Sequence, residues 1–356
     1  MEEFIKYVDI HNFKSIAYLK LKDCRRINLF IGYPNVGKSN VLEALGLFSL
    51  PFLKIKFNNN LNRLVRAENK NEFLHNVKDY CSFVNTNLEN INFRTDGHGI
   101  EVIISREKKK LFFEFCNDLF LIPKSDSATN NRGVISNYCI YDMDSGGIRI
   151  EKDTNTDDVK RYIFQTKNEW KSTGDGQLLP PYGENIIDTL SYNENVSEVK
   201  QWMKGEFSKF GLEYVLDQSS NSLKVQKRLG GDEVMQLPYS SIADTLQRVI
   251  FYKTAIASNK NSVLLFEEPE AHAFPPYIST ITQDIAEAKT NQFFIATHSP
   301  IVINDFLEYE HLRSETSIYL FDFKNDQTTV KRLSDEEMEL VYEYGNDLFF
   351  NLENLL

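Results

Sequence analysis

Residues 27–48 read INLFIGYPNVGKSNVLEALGLF, and this stretch decides the fold. Its middle, GYPNVGKS at 32–39, matches the pattern GxxxxGK[ST]. The apolar run before the pattern, at 27–31, suits a strand that is buried on both faces. After the pattern, apolar side chains recur at helical spacing as far as residue 48. The stretch therefore predicts a strand, a phosphate-binding loop and an amphipathic helix, in that order.

Each fixed position of this loop has a chemical reason. The glycines let backbone N–H groups curl around phosphate oxygens, Lys38 reaches the β- and γ-phosphates, and the Ser39 hydroxyl can bind Mg²⁺. The phosphates also lie at the N-terminus of the following helix, where the helix dipole favours negative charge. We expect ATP and Mg²⁺ as cofactors. The predicted nucleotide-binding residues of this loop are Gly32, Asn35, Gly37, Lys38, Ser39 and Asn40.

Two adjacent carboxylates, Glu267 and Glu268, follow a second apolar run, VLLF at 263–266. Two carboxylates after a buried strand cost free energy unless a cation or another partner satisfies them. We predict that Glu267 holds the Mg²⁺ shell through water, so that Mg²⁺ has Ser39 and Glu267 as its protein groups. Glu268 is predicted to polarise the attacking water. The alternative is that the two acids cap the N-terminus of a solvated helix.

A histidine ends the next predicted strand, QFFIAT at 292–297. His298 can hydrogen-bond a γ-phosphate or the attacking water, although a histidine at a strand end is often only structural. We favour the catalytic interpretation because this strand ends at the same sheet edge as the strand that carries the acid pair. The predicted catalytic residues are therefore Lys38, Glu268 and His298.

Composition excludes several classes of protein. The chain has 356 residues, of which 42% are hydrophobic, so it has enough apolar side chains for a sizeable core. Its formal net charge of −11 argues against a surface that grips a phosphate backbone throughout. No apolar run approaches the ~18 residues of a membrane span. The four cysteines are scattered without CxxC spacing, so we expect a cytoplasmic protein without a disulfide framework or zinc site.

The α/β pattern is interrupted in the middle of the chain. We predict one split head, made of residues 1–50 and 235–356, and an insertion at 51–234. Within the insertion the sequence predicts a helix near 61–80 and antiparallel strands over 92–122, where EVIISREKKKLFFEF resembles a hairpin.

Four segments together resemble the ABC-type ATPases of the RecF, SMC and OLD-like group. They are IHNFKSI at 10–16, GKSN at 37–40, FEEPEAH at 266–272 and ATHSP at 296–300. The resemblance implies an α/β P-loop NTPase fold of ABC/RecF-like type, with an antiparallel β lobe and a mixed α+β insertion. It also implies that two heads dimerise, with each ATP between the P-loop of one head and the signature segment of the other. In this scheme Glu267 is the Walker B acid, Glu268 the catalytic base and His298 the switch histidine.

The sequence departs from the family at the signature segment. The segment at 239–248 reads YSSIADTLQR, so Ser240 and Ser241 can serve as signature serines, but the usual glycine is absent and Asp244 stands near its place. An acid there would repel a γ-phosphate unless it points away. Alternatively, the two serines merely cap the following helix. Gln165 is the residue we prefer for the Q-loop.

The resemblance also frames the expected biology. After His298 we find neither the Glu and DxD cluster of a TOPRIM nuclease nor, anywhere, the heptads of a long coiled coil. We therefore expect a homodimeric or higher-order ATPase that controls a separate effector, a nuclease or toxin, as in bacterial anti-phage defence. The alternatives are a RecF-type DNA-repair ATPase and a nucleotide-gated scaffold with little turnover. A basic segment at 106–110 could contact DNA, but an exposed strand edge is the preferred interpretation.

Overall fold

The computed structural model describes most of the chain outside a long central region. The backbone of five strands is described between residues 90 and 150. Backbone and side chains are described for residues 4–46, 159–166, 170–174, 176–230, 232–343, 348–349 and 352, except for the side chain of residue 12. The predicted helix near 61–80 and the first four residues of the basic segment at 106–110 lie outside the described residues.

The described residues form sixteen strands and eight α-helices. In chain order the strands are β1 (Val8–Phe13), β2 (Ile16–Leu21), β3 (Ile27–Gly32), β4 (Asn90–Thr95), β5 (Gly99–Ser105), β6 (Lys110–Cys116), β7 (Ile135–Asp142), β8 (Ile148–Ile150), β9 (Val159–Tyr162), β10 (Glu213–Asp217), β11 (Ser222–Gly230), β12 (Glu233–Pro238), β13 (Val263–Glu267), β14 (Gln292–Ala296), β15 (Thr316–Lys324) and β16 (Gln327–Arg332). The helices are α1 (Lys38–Gly46), α2 (Ile186–Tyr192), α3 (Ser197–Ser208), α4 (Asp244–Ser258), α5 (Pro275–Glu287), α6 (Pro300–Leu307), α7 (Glu310–Ser314) and α8 (Asp335–Glu343).

A six-stranded sheet forms the centre of the molecule, in the order β16-β15-β3-β14-β13-β9. All neighbours in it are parallel except β15 and β16. Strand β3 lies in the middle, where Leu29 is opposite Ile295 on one side and Ile318 on the other. Both β3 and β14 are buried along their whole length, as the continuous apolar runs predict. Because parallel strands end at one edge, Gly32, Glu267 and Ala296 all lie at the carboxyl edge of this sheet.

Helices cover this sheet. Helix α1 packs against β13 and β9, while α4, α5 and α6 pack on one another in sequence order. Aromatic rings join α4 to the sheet, since Tyr252 meets Phe266 edge-on with centroids 5.0 Å apart. Helices α5 and α6 both begin with proline at the first helical position. None of the helices in the described ranges is long and apolar enough to cross a membrane.

Two antiparallel sheets complete the described structure. Seven strands lie in the order β2-β1-β4-β5-β6-β7-β8, and three in the order β10-β11-β12. The hairpin pattern over 101–115 is confirmed, since β5 pairs antiparallel with β6. The fold class, an α/β P-loop architecture with an antiparallel β lobe, is thus the one that the sequence predicts. Strand β9, inside the range predicted as an insertion, forms an edge of the central sheet beside β13; the division at residues 50 and 235 stays a prediction.

Candidate functional site

The loop between β3 and α1 encloses the amino group of Lys38. Its Nζ donates hydrogen bonds of 2.8 Å to the carbonyl oxygens of Gly32 and Tyr33. Burial lowers the pKa of Lys38 to about 8, although the carboxylates of Glu268 and Glu267 act in the opposite direction. A phosphate anion placed against this ammonium group would favour its charged form.

Strand β16 closes over the loop from the other side. Gly37 has φ +102°, and a Cβ there would lie 2.2 Å from Thr328 Oγ1, so only glycine fits. Thr328 is itself held by Ser15, through a 2.6 Å contact between the hydroxyls and a 2.8 Å bond from Thr328 N to the Ser15 carbonyl. Asn40 donates its side-chain amide to Ser15 Oγ at 2.7 Å. Asn35 also has a positive φ, 65°, which asparagine tolerates better than most residues.

Ser39 and Glu267, the two predicted metal residues, are in contact. The Ser39 hydroxyl donates to Glu267 Oε1, and Arg161 Nη2 donates to Glu267 Oε2 at 2.9 Å. Arg161 also lies 4.0 Å from the buried Glu43, which pairs with Lys14. The five side chains therefore form one connected network from the end of β1, through α1 and β9, to the end of β13.

Glu268 and His298 lie side by side at the same edge. Glu268 Oε1 is 3.7 Å from His298 Nε2, and both side chains are partly exposed. The backbone of Glu268 has φ 44° and donates to the Ala296 carbonyl at 2.8 Å, which ties the end of β13 to the end of β14. Burial lowers the pKa of His298, and Lys38 lowers it further, while Glu268 raises it. His298 is therefore mainly neutral at pH 7 and can both donate and accept hydrogen bonds.

The alternative role for the acid pair, capping a helix, is wrong. The next helix, α5, begins at Pro275 with Phe274 as its N-cap, and no side chain caps it. A turn at 268–273 separates the acids from that helix instead, with Ala271 N bonded to the Glu268 carbonyl at 3.0 Å.

Glu270, in the same turn, bridges to the strand that carries His298. Its Oε1 accepts 2.6 Å and 2.9 Å hydrogen bonds from Thr297 Oγ1 and His298 N. The side chain is buried, which raises the pKa of its carboxyl group. Glu270 thus fixes the backbone from which His298 projects.

The predicted signature residues lie before helix α4. Ser240 and Ser241 are exposed in a short 3-10 turn at 239–241. The interpretation that they cap α4 is wrong, because its N-cap is Ala243 and no side-chain cap bond forms. Asp244 Oδ1 accepts a 3.2 Å hydrogen bond from Thr166, and its Oδ2 lies 3.9 Å from Arg248 Nε.

Gln165 is exposed three residues beyond the end of β9, at the carboxyl edge of the central sheet. Its neighbour Phe164 lies under the guanidinium group of Arg248, 4.6 Å from ring centroid to Cζ. Arg248 in turn donates to the Glu268 carbonyl at 3.5 Å. The predicted Q-loop therefore contacts helix α4, and Arg248 of that helix links it to the acid-bearing turn.

The donor set at this edge fits Mg²⁺ bound together with a nucleotide. A hydroxyl and a carboxylate are the hard oxygen ligands that Mg²⁺ prefers, and Mg²⁺ usually takes one or two protein ligands, with phosphates and water supplying the rest. Among the described residues no group of three or more His, Cys, Asp or Glu side chains could hold a metal by itself. Ser39 and Glu267 would share such a metal with the phosphates of a nucleotide bound at Lys38.

Several side chains of the site were not predicted from the sequence. Glu43 stands out only as an acid within the apolar stripe of α1, and Arg161 only as part of a basic pair within a strand. Lys14 and Glu270 lie in the quoted segments IHNFKSI and FEEPEAH, but no role was assigned to them. Thr328 carries no local signal, because its importance comes from its contact with the distant Gly37.

Comparisons with known proteins extend these observations. No protein-family model matches the sequence. Protein ea59 of Escherichia phage lambda is 32% identical over 92 residues, an alignment that covers 22% of this chain and 18% of ea59. The chain thus matches less than a fifth of the length of that relative.

Solved structures resemble the chain over nearly its whole length. An Smc head domain from Pyrococcus furiosus, bound to the C-terminal domain of ScpA, has a TM-score of 0.50 at 10% identity and covers 96% of this chain and 100% of its own. The SMC head domain from Thermotoga maritima has a TM-score of 0.44 at 12% identity, with 93% and 100% covered. The likeness to the head domain from Pyrococcus furiosus shows that the chain shares the mixed α/β fold of that domain.

Proposed function

We propose that this protein binds ATP with Mg²⁺ and hydrolyses it to ADP and phosphate. The observation that carries the proposal is the meeting of five side chains at one sheet edge. Lys38 lies within the loop, Ser39 contacts Glu267, and Glu268 lies 3.7 Å from His298. They come from two strand ends and one helix start: Glu267 and Glu268 follow β13, His298 follows β14, and Lys38 and Ser39 begin α1. A purely structural role would not require a buried ammonium group, two adjacent carboxylates and a histidine at one edge.

The groups divide the work of hydrolysis between binding and proton transfer. Lys38 and the loop would hold the phosphates, and Ser39 and Glu267 would hold the metal that neutralises their charge. Glu268, with its side chain 47% exposed, can accept a proton from a water molecule as the water attacks the γ-phosphorus and the bond to the bridging oxygen breaks. His298 would orient that water or a γ-phosphate oxygen.

The proposal includes a dimer in which two copies enclose ATP. Ser240 and Ser241 are exposed on the turn before α4, where they are free to contact a nucleotide bound to another copy. Phe274 is 64% exposed at the far end of the acid-bearing turn. The Thr245 hydroxyl donates a 2.8 Å hydrogen bond to the His272 carbonyl, which joins helix α4 to the acid-bearing turn.

Replacement of the proposed base tests hydrolysis and dimerisation separately. We expect Glu268→Gln to abolish turnover while ATP still promotes dimers, measured by phosphate release and by light scattering. In the wild type the specific activity should rise steeply with protein concentration, since each site needs a second copy. Persistent ATP turnover in Glu268→Gln would show that Glu268 is not the base. A specific activity that does not change with protein concentration would exclude an active site formed by two copies.

One observation favours a second candidate function, a nucleotide-gated scaffold. Asp244 occupies the region in which relatives have the signature glycine, and an acid there opposes a γ-phosphate from another copy. The scaffold predicts tight ATP binding with negligible turnover at every protein concentration. The third possibility, a DNA-repair ATPase, predicts turnover that DNA stimulates and salt suppresses; the net charge of −11 counts against it.

The proposal also includes control of a separate partner protein. Smc heads with this fold include one bound to the C-terminal domain of ScpA, and the acidic charge of this chain favours a protein partner over DNA. We propose that this chain acts in the cytoplasm and that its partner is an effector, a nuclease or toxin, in anti-phage defence. We expect the protein product of one neighbouring gene to co-purify with the Glu268→Gln variant in the presence of ATP. Without ATP this partner should no longer co-purify.

A further inference from the structure

We propose that Arg161 is a positioning residue of the metal site, which holds the Glu267 carboxylate in the orientation that accepts Mg²⁺. The proposal rests on the function proposed above, because it assigns a role within that same site. Arg161 belongs to β9 and Glu267 to the neighbouring strand β13. Arg161 would act through Glu267 and would not touch the reacting atoms.

The first argument is the division of the two carboxylate oxygens. Arg161 Nη2 donates to Oε2 at 2.9 Å, while the Ser39 hydroxyl donates to Oε1. With one oxygen fixed by the guanidinium group, the other is directed at the start of α1. Metal-ligating carboxylates commonly need such an outer partner, and its removal typically weakens metal binding by about 10- to 100-fold.

The second argument is the balance of charge around Arg161. A cation that neutralised Glu267 alone would weaken its attraction for Mg²⁺. Arg161 Nη2 also lies 4.0 Å from Glu43 Oε1, so its charge is shared between two carboxylates. Glu43 pairs in turn with Lys14, and all these groups are at most 10% exposed. The four groups alternate in sign, two cations with two carboxylates, so Arg161 lies between Glu267 and Glu43 and the buried cluster carries no net charge before a metal binds.

The third argument concerns stability. A buried ion pair seldom stabilises a protein more than well-packed apolar side chains of the same size would, because both ions lose their hydration. Arg161 is 1% exposed and reaches the site from an edge strand. Folding stability alone thus gives little reason for an arginine here, whereas orientation of a metal-binding carboxylate does.

The neighbouring residue provides a matched control. Lys160 lies on the same strand and is 2% exposed. Its Nζ donates to Asn259 Oδ1 at 2.6 Å and to Gln177 Oε1 at 3.3 Å. Lys160→Met therefore removes an equally buried cation from β9 and leaves the contacts of Glu267 with Ser39 and Arg161 in place.

The experiment measures how nucleotide binding depends on Mg²⁺ in the full chain. Binding of a fluorescent ATP analogue is titrated with Mg²⁺ and repeated in EDTA, for the wild type, Arg161→Lys, Arg161→Gln and Lys160→Met. We expect both Arg161 variants to need about tenfold more Mg²⁺ for half-maximal binding, with metal-free affinity changed less than about threefold. Lys160→Met should keep the wild-type Mg²⁺ dependence. Thermal unfolding by circular dichroism confirms that each variant is folded.

The outcomes separate the proposal from the function on which it rests. A folded Arg161→Lys protein with the wild-type Mg²⁺ dependence overturns the role of Arg161 and leaves the ATPase proposal standing. A wild type whose nucleotide binding ignores Mg²⁺ overturns both. Should Arg161→Gln fail to fold, the charge-balanced double variant Arg161→Gln with Glu43→Gln replaces it, and unchanged Mg²⁺ dependence there is equally contrary to the proposal.

Discussion

The Glu270 carboxylate accepts a 2.9 Å hydrogen bond from the backbone N–H of His298. The same oxygen also accepts a bond from the Thr297 hydroxyl. Glu270 lies two residues beyond the proposed base Glu268, so one carboxylate joins the turn that carries the base to the strand end that carries the histidine. The relative position of Glu268 and His298 therefore depends on a side chain that need not touch the nucleotide.

We expect Glu270→Ala to lower ATP turnover by about tenfold, because small displacements of catalytic groups are costly. It should also destabilise the fold by about 1–3 kcal/mol, since two buried donors lose their acceptor. Glu270→Gln retains an acceptor oxygen and should keep most of the activity.

The same carboxyl group should make stability depend on pH. Burial raises the pKa of Glu270 above its unfolded value. The contribution of Glu270 to stability therefore falls as pH rises from the unfolded pKa to the folded pKa, and Glu270→Gln should remove this fall. Phosphate release and thermal unfolding between pH 4 and 8 measure both effects.

Asn291 is the control for this prediction. It bridges the same two strands at their opposite ends, accepting from Ser262 N at 3.1 Å and donating to the Asn259 carbonyl at 2.8 Å. Asn291→Ala should lose comparable stability but retain turnover per folded molecule. Equal loss of turnover in the two alanine variants would make Glu270 merely structural.

The sequence predicted those parts of the site that depend on local patterns. The spacing of Gly32, Gly37, Lys38 and Ser39 identifies the loop, and Glu267 and Glu268 follow an apolar run that is typical of a buried strand. Helix α4 begins only at Asp244, and Ser240 and Ser241 form a separate 3-10 turn before it. No local propensity distinguishes that turn from the first turn of a helix.

The remainder depends on contacts between residues that are distant in sequence. Arg161 gains its partner only when β9 pairs with β13, and Thr328 becomes important only because β16 brings it against Gly37. Lys160 and Arg161 are two adjacent charged residues in a short strand, yet both side chains are buried. Such pairings follow from topology, which periodicity in a single sequence does not determine.

The lowered pKa of Lys38 predicts proton uptake when ATP binds. With a pKa of about 8, about half of the Lys38 side chains are neutral at pH 8, and a bound phosphate would favour the charged form. Calorimetry at pH 8 in buffers of different ionisation enthalpy should show uptake of about half a proton per ATP. Lys38→Arg stays charged throughout, so its uptake should vanish. The same uptake in that variant would assign the proton to another group.

The same pKa predicts how stability varies with pH. The folded-state pKa of about 8 lies below the unfolded value of 10.5, so the unfolded chain binds more protons between these values. Stability should therefore rise with pH across that window. In Lys38→Met the rise should be smaller, as measured by urea unfolding at pH 7.5 to 10. An unchanged slope would show that Lys38 titrates normally.

A methyl group at Gly37 should disrupt the loop. The Cβ would lie 2.2 Å from Thr328 Oγ1, and φ +102° is unfavourable for alanine. We expect Gly37→Ala to lose nucleotide binding and about 1–3 kcal/mol of stability or more. The control is Gly205→Ala, on the exposed face of α3 with nothing within 4 Å of the added Cβ. It should bind nucleotide normally and gain about 0.5–1 kcal/mol.

Removal of the charge at Asp244 tests whether this acid restrains the dimeric site. A carboxylate that faces the γ-phosphate of an ATP bound to the second copy repels it by about 1 kcal/mol at 4 Å in water. Asp244→Asn removes this repulsion, so turnover at high protein concentration should rise about fivefold. The Asn oxygen can still accept the bond from Thr166. Glu198→Gln removes an exposed acid from the first turn of α3 and controls for the helix dipole. Turnover unchanged in Asp244→Asn would mean that Asp244 points away from the nucleotide, and that the local bonds to Thr166 and Arg248 determine its position.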